Sequence, residues 1–137
     1  MSLINLSLHE AADQLASGEV TSRALCEALL ARVDQVEEQV GVLVSINAER
    51  VLAVADAADA RRAAGAAIGR YDGLPITIKD NIVEEGEEAK CASSILDGLN
   101  NVYDSTVVRK LKEAGCVIFG RANMDEFAMG STTETSQ

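Results

Sequence analysis

The segment GLPITIKDNI, Gly73 to Ile82, ends a short apolar run with one lysine, Lys79, and follows it at once with Asp80 and Asn81. A lysine amine stripped of water has its pKa lowered and can take a proton near neutral pH. Lys is also among the residue types least often buried, so a solvated surface lysine competes for the same position. Two local features favour the base. Lys79 falls at the expected C-terminal end of a strand, where α/β proteins gather their sites. It is also the only base between Arg70 and Lys90. Asp80 and Asn81 have short polar side chains suited to a turn that aims Lys79 inward, a supporting role rather than a chemical one.

Other groups could do chemistry and are read more plainly. Asp125 and Glu126 are adjacent, and adjacent residues on a helix do not face each other, so they read as acids at a helix start rather than a shared site. Glu84, Glu85, Glu87 and Glu88 read as an acidic solvated loop. His9 falls inside a capping box and is expected at the surface. Ser93 and Ser94 suit a cap or a turn. Cys26, Cys91 and Cys116 are widely spaced with no C-x-x-C pair, and the chain has one histidine. A metal site is therefore not expected, and buried free thiols in a reducing compartment fit better.

Bulk properties narrow the class. Acids outnumber bases 22 to 12, a formal charge of -10, which argues against a large phosphate-binding face on this chain. A nucleic acid would then be bound by a partner. No apolar run approaches the ~20 residues that cross a bilayer, so no membrane span is expected. The start, MSLINLSLHE, has neither the basic nor the apolar region of a secretory signal, and the cytoplasm is the plain reading.

The elements that must position Lys79 are legible as signals along the chain. Ser7 and Glu10 form a capping box for a helix to about Ser17, stopped by Gly18. Thr21 caps a longer helix with Leu25, Leu29, Val33, Val36 and Val40 on one face and a stop at Gly41. Val42 to Ile46 is β-prone. Asn47 caps an alanine-rich helix, Ala48 to Ala64, closed by Gly65. Leu74 to Ile78 is a strand, with Pro75 near its start. Residues 80 to 90 form a loop. Asp104 or Ser105 caps a helix through Ala114, with Gly115 as its C′ residue and Lys110 and Lys112 in its last turns. Cys116 to Phe119 is a second apolar strand, ended by Gly120. The chain divides into a helical part, 1–68, and a strand-helix-strand part, 69–137, that predicts a parallel βαβ crossover in an α/β sheet. So few strands do not close an α/β domain. The polar ending GSTTETSQ then reads either as the cut edge of a longer protein or as a frayed tail on a complete small domain.

GLPITIKDNI, then CASSIL from Cys91, then YDSTVVRKLKEAGCVIFGRANMDEFAMGSTTETS from Tyr103 resemble the amidase signature family in order and spacing. EVTSRALCEALLARVDQVE and SINAERVLAVADAADARR extend the resemblance toward the N-terminus, so it covers the chain from Leu8. Within the family the branch most resembled is the A subunits of Glu-tRNA(Gln) or Asp-tRNA(Asn) amidotransferases. The resemblance implies the N-terminal part of the amidase signature fold, a mixed sheet flanked by helices, incomplete in this chain. It implies a Lys, cis-Ser, Ser triad whose lysine falls on Lys79, with Met129, Gly130 and Ser131 near the acyl pocket. Both serines of that triad belong to a GGSSGGS-type segment that this sequence does not contain. Ser131 and Ser136 lack that context.

The resemblance also implies an activity, that of a glutamine amidase supplying ammonia for transamidation. Its partners would be the B and C subunits, with aminoacyl-tRNA reached through the B subunit. No cofactor is expected on this chain, while ATP and magnesium belong to a partner. The 137 residues alone are expected to be inactive and poorly soluble, with an open sheet edge. A free-standing small-amide amidase and a truncated, non-catalytic binding domain remain the alternatives. Lys90 departs from the family pattern, which more often has a small hydroxyl residue there. Family geometry also implies that the Ser93–Ser94 segment lies near enough for a hydrogen bond to Lys79.

Overall fold

The computed structural model describes residues 2–136. Four helices, α1 (Leu8–Ser17), α2 (Ser22–Val40), α3 (Ala48–Ala63) and α4 (Thr106–Glu113), surround strands β1 (Leu43–Ser45), β2 (Pro75–Lys79) and β3 (Val117–Ala122). The helix ends follow local chemistry. Both halves of the Ser7–Glu10 capping box form, and Gly18 ends α1 in the left-handed conformation. The side chains of Thr21, Asn47 and Ser105 accept backbone N–H groups at the starts of α2, α3 and α4.

The sheet order is β1-β3-β2. β2 and β3 run parallel through the α4 crossover, and β1 pairs antiparallel with β3, so the sheet is mixed. Side chains alternate along β3. Val117 and Phe119 pack with Cys26, Val51 and Ala55 of α2 and α3. Ile118 packs with Ile78 and Val108 of α4 on the other face. A third cluster joins Leu15, Leu25 and Leu74. This three-layer arrangement holds the β2 and β3 ends next to each other.

Three expectations need correction. β3 does not stop at Gly120 but continues to Ala122. The glycine is there because β1 comes close: a Cβ at 120 would lie 3.1 Å from the Ser45 carbonyl oxygen. Val40, expected on the same face of α2 as Leu25, Leu29 and Val33, is the last residue of the helix and is exposed rather than packed with them. The acidic loop is not uniformly solvated. Glu84 is buried, and its Oε1 meets Arg50 of α3 at 3.0 Å and Lys112 of α4 at 3.3 Å.

Candidate active site

Lys79 is the last residue of β2. Ile78 points into the cluster against α4, so the next side chain points away from it. The Lys79 side chain is exposed, and among the described residues its Nζ forms no hydrogen bond or ion pair. The expected inward turn is therefore not what Asp80 and Asn81 make. The turn buries Asp80 instead, while Asn81 is exposed. The next lysine along the chain, Lys90, lies between Glu88 at 2.8 Å and Asp97 at 3.0 Å. Those carboxylates, Glu88 foremost, push its pKa far up, so Lys90 stays charged and is no base.

The turn after Lys79 is closed by an Ile82 N–H donating to the Lys79 carbonyl at 2.9 Å, and by an Asp80 N–H donating to the Ala122 carbonyl at 3.0 Å. Arg121, next to Ala122 on β3, reaches back into it. Its Nε donates to Asp80 Oδ1 at 3.0 Å, and its Nη2 donates to the carbonyls of Asp80 at 3.2 Å and Ile82 at 2.7 Å. The two side chains are only 3% and 2% exposed, so the pair is shielded from water. Arg121 Nη1 is buried without a partner among the described residues.

The other oxygen of Asp80 accepts the Ala92 N–H at 3.2 Å. That contact needs Cys91 and Ala92 in the left-handed region, both at φ 51°, where non-glycine residues are strained. The same segment is tied to the 3-10 turn Glu126–Ala128. Phe127 N–H donates to the Cys91 carbonyl at 2.9 Å. Ser93 Oγ donates to Glu126 Oε1 at 2.6 Å and also starts the 3-10 turn Ser94–Leu96. The hydroxyl of Ser93 thus serves Glu126, and no bond to Lys79 is formed. Asp125 and Glu126 do not share a site. Asp125 turns instead to the segment after it, where the Thr133 amide, with the hydroxyl and amide of Thr135 and the amide of Thr132, holds its carboxyl below the usual range. Gly130 is seated against that carboxylate, where a Cβ would collide with Asp125. Met129 is exposed beside it, and so is Ser131.

A cavity of about 620 Å³ is lined by Asp80, Ala92 and Ser93 together with Lys90 and Asn100. Lys79 does not line it. All three cysteines are free. Arg121 was the residue that sequence reasoning missed. The available signal was an arginine directly following the apolar run CVIFG, on a strand parallel to the one that ends in Lys79-Asp80.

The profile of the family described as Amidase matches residues 24–137. The chain belongs to the amidase family. It is 49% identical over 134 residues to the A subunit of a Glutamyl-tRNA(Gln) amidotransferase from Roseiflexus sp. (strain RS-1), covering 98% of this chain and 27% of that protein. It is 45% identical over 136 residues to the protein of the same description from Myxococcus xanthus (strain DK1622), covering 99% and 28%. The chain thus spans little more than a quarter of the length of these relatives. Among solved structures it resembles a chain from a vestigial protein complex reported to reveal the evolutionary origins of an s-triazine catabolic enzyme, with a TM-score of 0.89 and 36% identity, covering 95% of this chain and 29% of that one. The native peptide amidase from Stenotrophomonas maltophilia gives 0.83 and 26%, covering 90% and 26%. The α/β architecture, with its mixed sheet, is that of the amidase-family enzymes.

Proposed function

We propose that the protein carrying this amidase-family sequence is the glutamine-hydrolysing A subunit of an aminoacyl-tRNA amidotransferase. The observation that carries this reading is the identity of 45% and 49% to A subunits along nearly the whole chain. Lys79, at the C-terminal end of β2, is the proposed base. Its neutral amine takes the proton of a bridging serine, which takes the proton of the nucleophilic serine. The nucleophile attacks the glutamine carboxamide carbon, the C–N bond breaks, and ammonia leaves with a proton returned along the same path. Water then releases glutamate from the acyl-enzyme. Both serines come from the part of the relatives' length that this sequence does not span, and Met129, Gly130 and Ser131 line the acyl pocket. An exposed Lys79 suits this division, because whatever packs onto that end of β2 supplies the desolvation a base needs.

Ammonia made there serves transamidation of Glu-tRNA(Gln) or Asp-tRNA(Asn). The B and C subunits are the proposed partners, with ATP, magnesium and the tRNA bound mainly by B. The net charge of -10 fits a subunit that leaves the tRNA to a partner. No helix among the described residues is long and apolar enough to cross a membrane, and a cytoplasmic enzyme is proposed. The test is Lys79→Ala in the full-length protein. Glutamine hydrolysis is expected to fall below detection while the protein still folds, and activity within about tenfold of wild type sinks the assignment. The 137 residues alone are expected to turn over no glutamine. A free-standing amidase is the second reading, favoured by the similarity to a peptide amidase. A monomer active on simple amides would select it over the amidotransferase reading.

A further inference from the structure

The guanidinium of Arg121 is the most heavily committed buried cation near Lys79. Burying an arginine strips its hydration, a loss recovered only with good geometry and satisfied partners. Its three bonds converge on one object. Asp80 Oδ1, the Asp80 carbonyl and the Ile82 carbonyl all belong to the turn that begins at Lys79. β2 and β3 are in register here, with Lys79 opposite Ala122 and Ile78 opposite Arg121. A single planar fork on the neighbouring strand therefore fixes a carboxylate and two carbonyls within three residues of the Lys79 amine. The carboxylate passes the constraint on, through the Ala92 N–H, to the strained Cys91–Ala92 segment and from there to the turn at Glu126–Ala128. Lysine could not do this, since it has one nitrogen where the fork reaches the carboxylate through Nε and the two carbonyls through Nη2. Arg121 does not line the cavity beside Asp80, so a direct ligand contact is not its role.

We propose that Arg121 is a positioning residue for the reaction: its guanidinium fixes the Lys79–Ile82 turn and hence the direction in which the Lys79 amine is presented to the serines. This rests on the reading of Lys79 as base. A displacement of the amine by about 1 Å costs on the order of 10²-fold in rate without changing how glutamine binds.

The experiment compares Arg121→Met, Arg121→Lys and Lys79→Ala in the full-length protein with its partner subunits. Glutamine hydrolysis is measured as kcat and KM, with and without millimolar guanidinium chloride, and thermal melting is recorded alongside. Arg121→Met is expected to lower kcat about 100-fold with KM within about threefold. Added guanidinium ion is expected to recover at least about tenfold of that loss, and to recover none in Lys79→Ala. Arg121→Lys, which keeps the charge, is expected to fold and to lose about tenfold in kcat at unchanged KM. If Arg121→Met does not fold, this second variant decides alone. Wild-type kcat in either folded variant overturns the proposal, as does a loss that follows melting temperature and is not recovered by guanidinium. If Lys79→Ala itself keeps its activity, the base assignment fails and the proposal falls with it. If Lys79→Ala is inactive but Arg121→Met is fully active, only the positioning role fails.

Discussion

β2 is flanked by two buried aspartates, Asp72 before it and Asp80 after it, each paired with an arginine, and the two pairs are built differently. At the entry, Asp72 is fully buried and receives Arg61 of α3 in a two-pronged contact at 3.1 and 2.5 Å. The Ile68 N–H donates to the same carboxylate at 3.0 Å, and Arg62 donates to the Asp72 carbonyl. Arg61 is 32% exposed, so its charge keeps part of its hydration. At the exit, Asp80 and Arg121 are both out of water, and one guanidinium nitrogen is without a partner among the described residues. The entry pair desolvates its carboxylate but leaves its arginine partly hydrated. At the exit both charges are desolvated; Cys91 and Ala92, whose segment meets Asp80, are at positive φ, as are Phe127 and Ala128 in the turn bonded to that segment. Unsatisfied groups and backbone strain persist where the surrounding fold over-determines them, and they gather at functional sites. The same ion-pair chemistry thus locks the fold at one end of the strand and aims a side chain at the other.

The largest test of that contrast removes each carboxylate in turn. Asp80→Ala leaves Arg121 buried without its counter-charge and is expected to cost about 3–5 kcal/mol. Asp72→Ala leaves Arg61 able to turn into solvent and is expected to cost about 2 kcal/mol, chiefly from the Ile68 N–H donor left without its acceptor. Urea midpoints of the full-length variants measure both. An Asp72→Ala loss equal to or larger than that of Asp80→Ala would break the comparison, because burial of the cation would then not decide the cost.

A smaller effect concerns acid. Burial pushes the Asp72 carboxyl up, but the Arg61 hydrogen bond, the Ile68 N–H and the charges of Arg61 and Arg62 outweigh it, and the group ends below the usual carboxylate range. A depressed folded pKa contributes stability that is present above the unfolded value of about 3.9 and is lost as pH falls through the folded value. The stability gap between wild type and Asp72→Asn is therefore expected to be constant from neutral pH down to about pH 5 and to narrow below about pH 4. Denaturant melts across that range measure it. A gap that widens on acidification would mean that the entry pair is not the ionised lock described.

How much of this was legible depends on how local each signal was. Ser7, Thr21, Asn47 and Ser105 announced their helices because a cap is a contact between residues three apart. The βαβ crossover was legible from two apolar runs around an amphipathic helix. Gly120 misled because its reason lies at Ser45, on a strand far away in the sequence. Glu84 looked like its three neighbours in an acidic loop, and only the convergence of α3 and α4 gives it Arg50 and Lys112. Lys79 was placed on the right strand end, but which of Lys79 and Asp80 points inward depends on Arg121, 41 residues beyond Asp80.

Cys91 gives the smallest and most local reading of the exit pair. Cys26 is pushed up to about 11, chiefly by burial, and burial raises Cys116 as well, so neither should react at pH 8 while the fold holds. Cys91 is half-buried; its thiol is raised by burial first and by the Asp80 charge, and lowered by Arg121. It therefore feels both members of the pair with opposite sign. Labelling the folded protein with a thiol reagent at pH 8 is expected to modify Cys91 first. Arg121→Met removes the one neighbour that favours the thiolate and is expected to slow that labelling about threefold. Faster labelling in Arg121→Met would show that the segment had opened instead. The clamp would then be holding Cys91–Ala92 shut more than it tunes the local field, and the contrast between the two ends of β2 would rest on strain rather than charge.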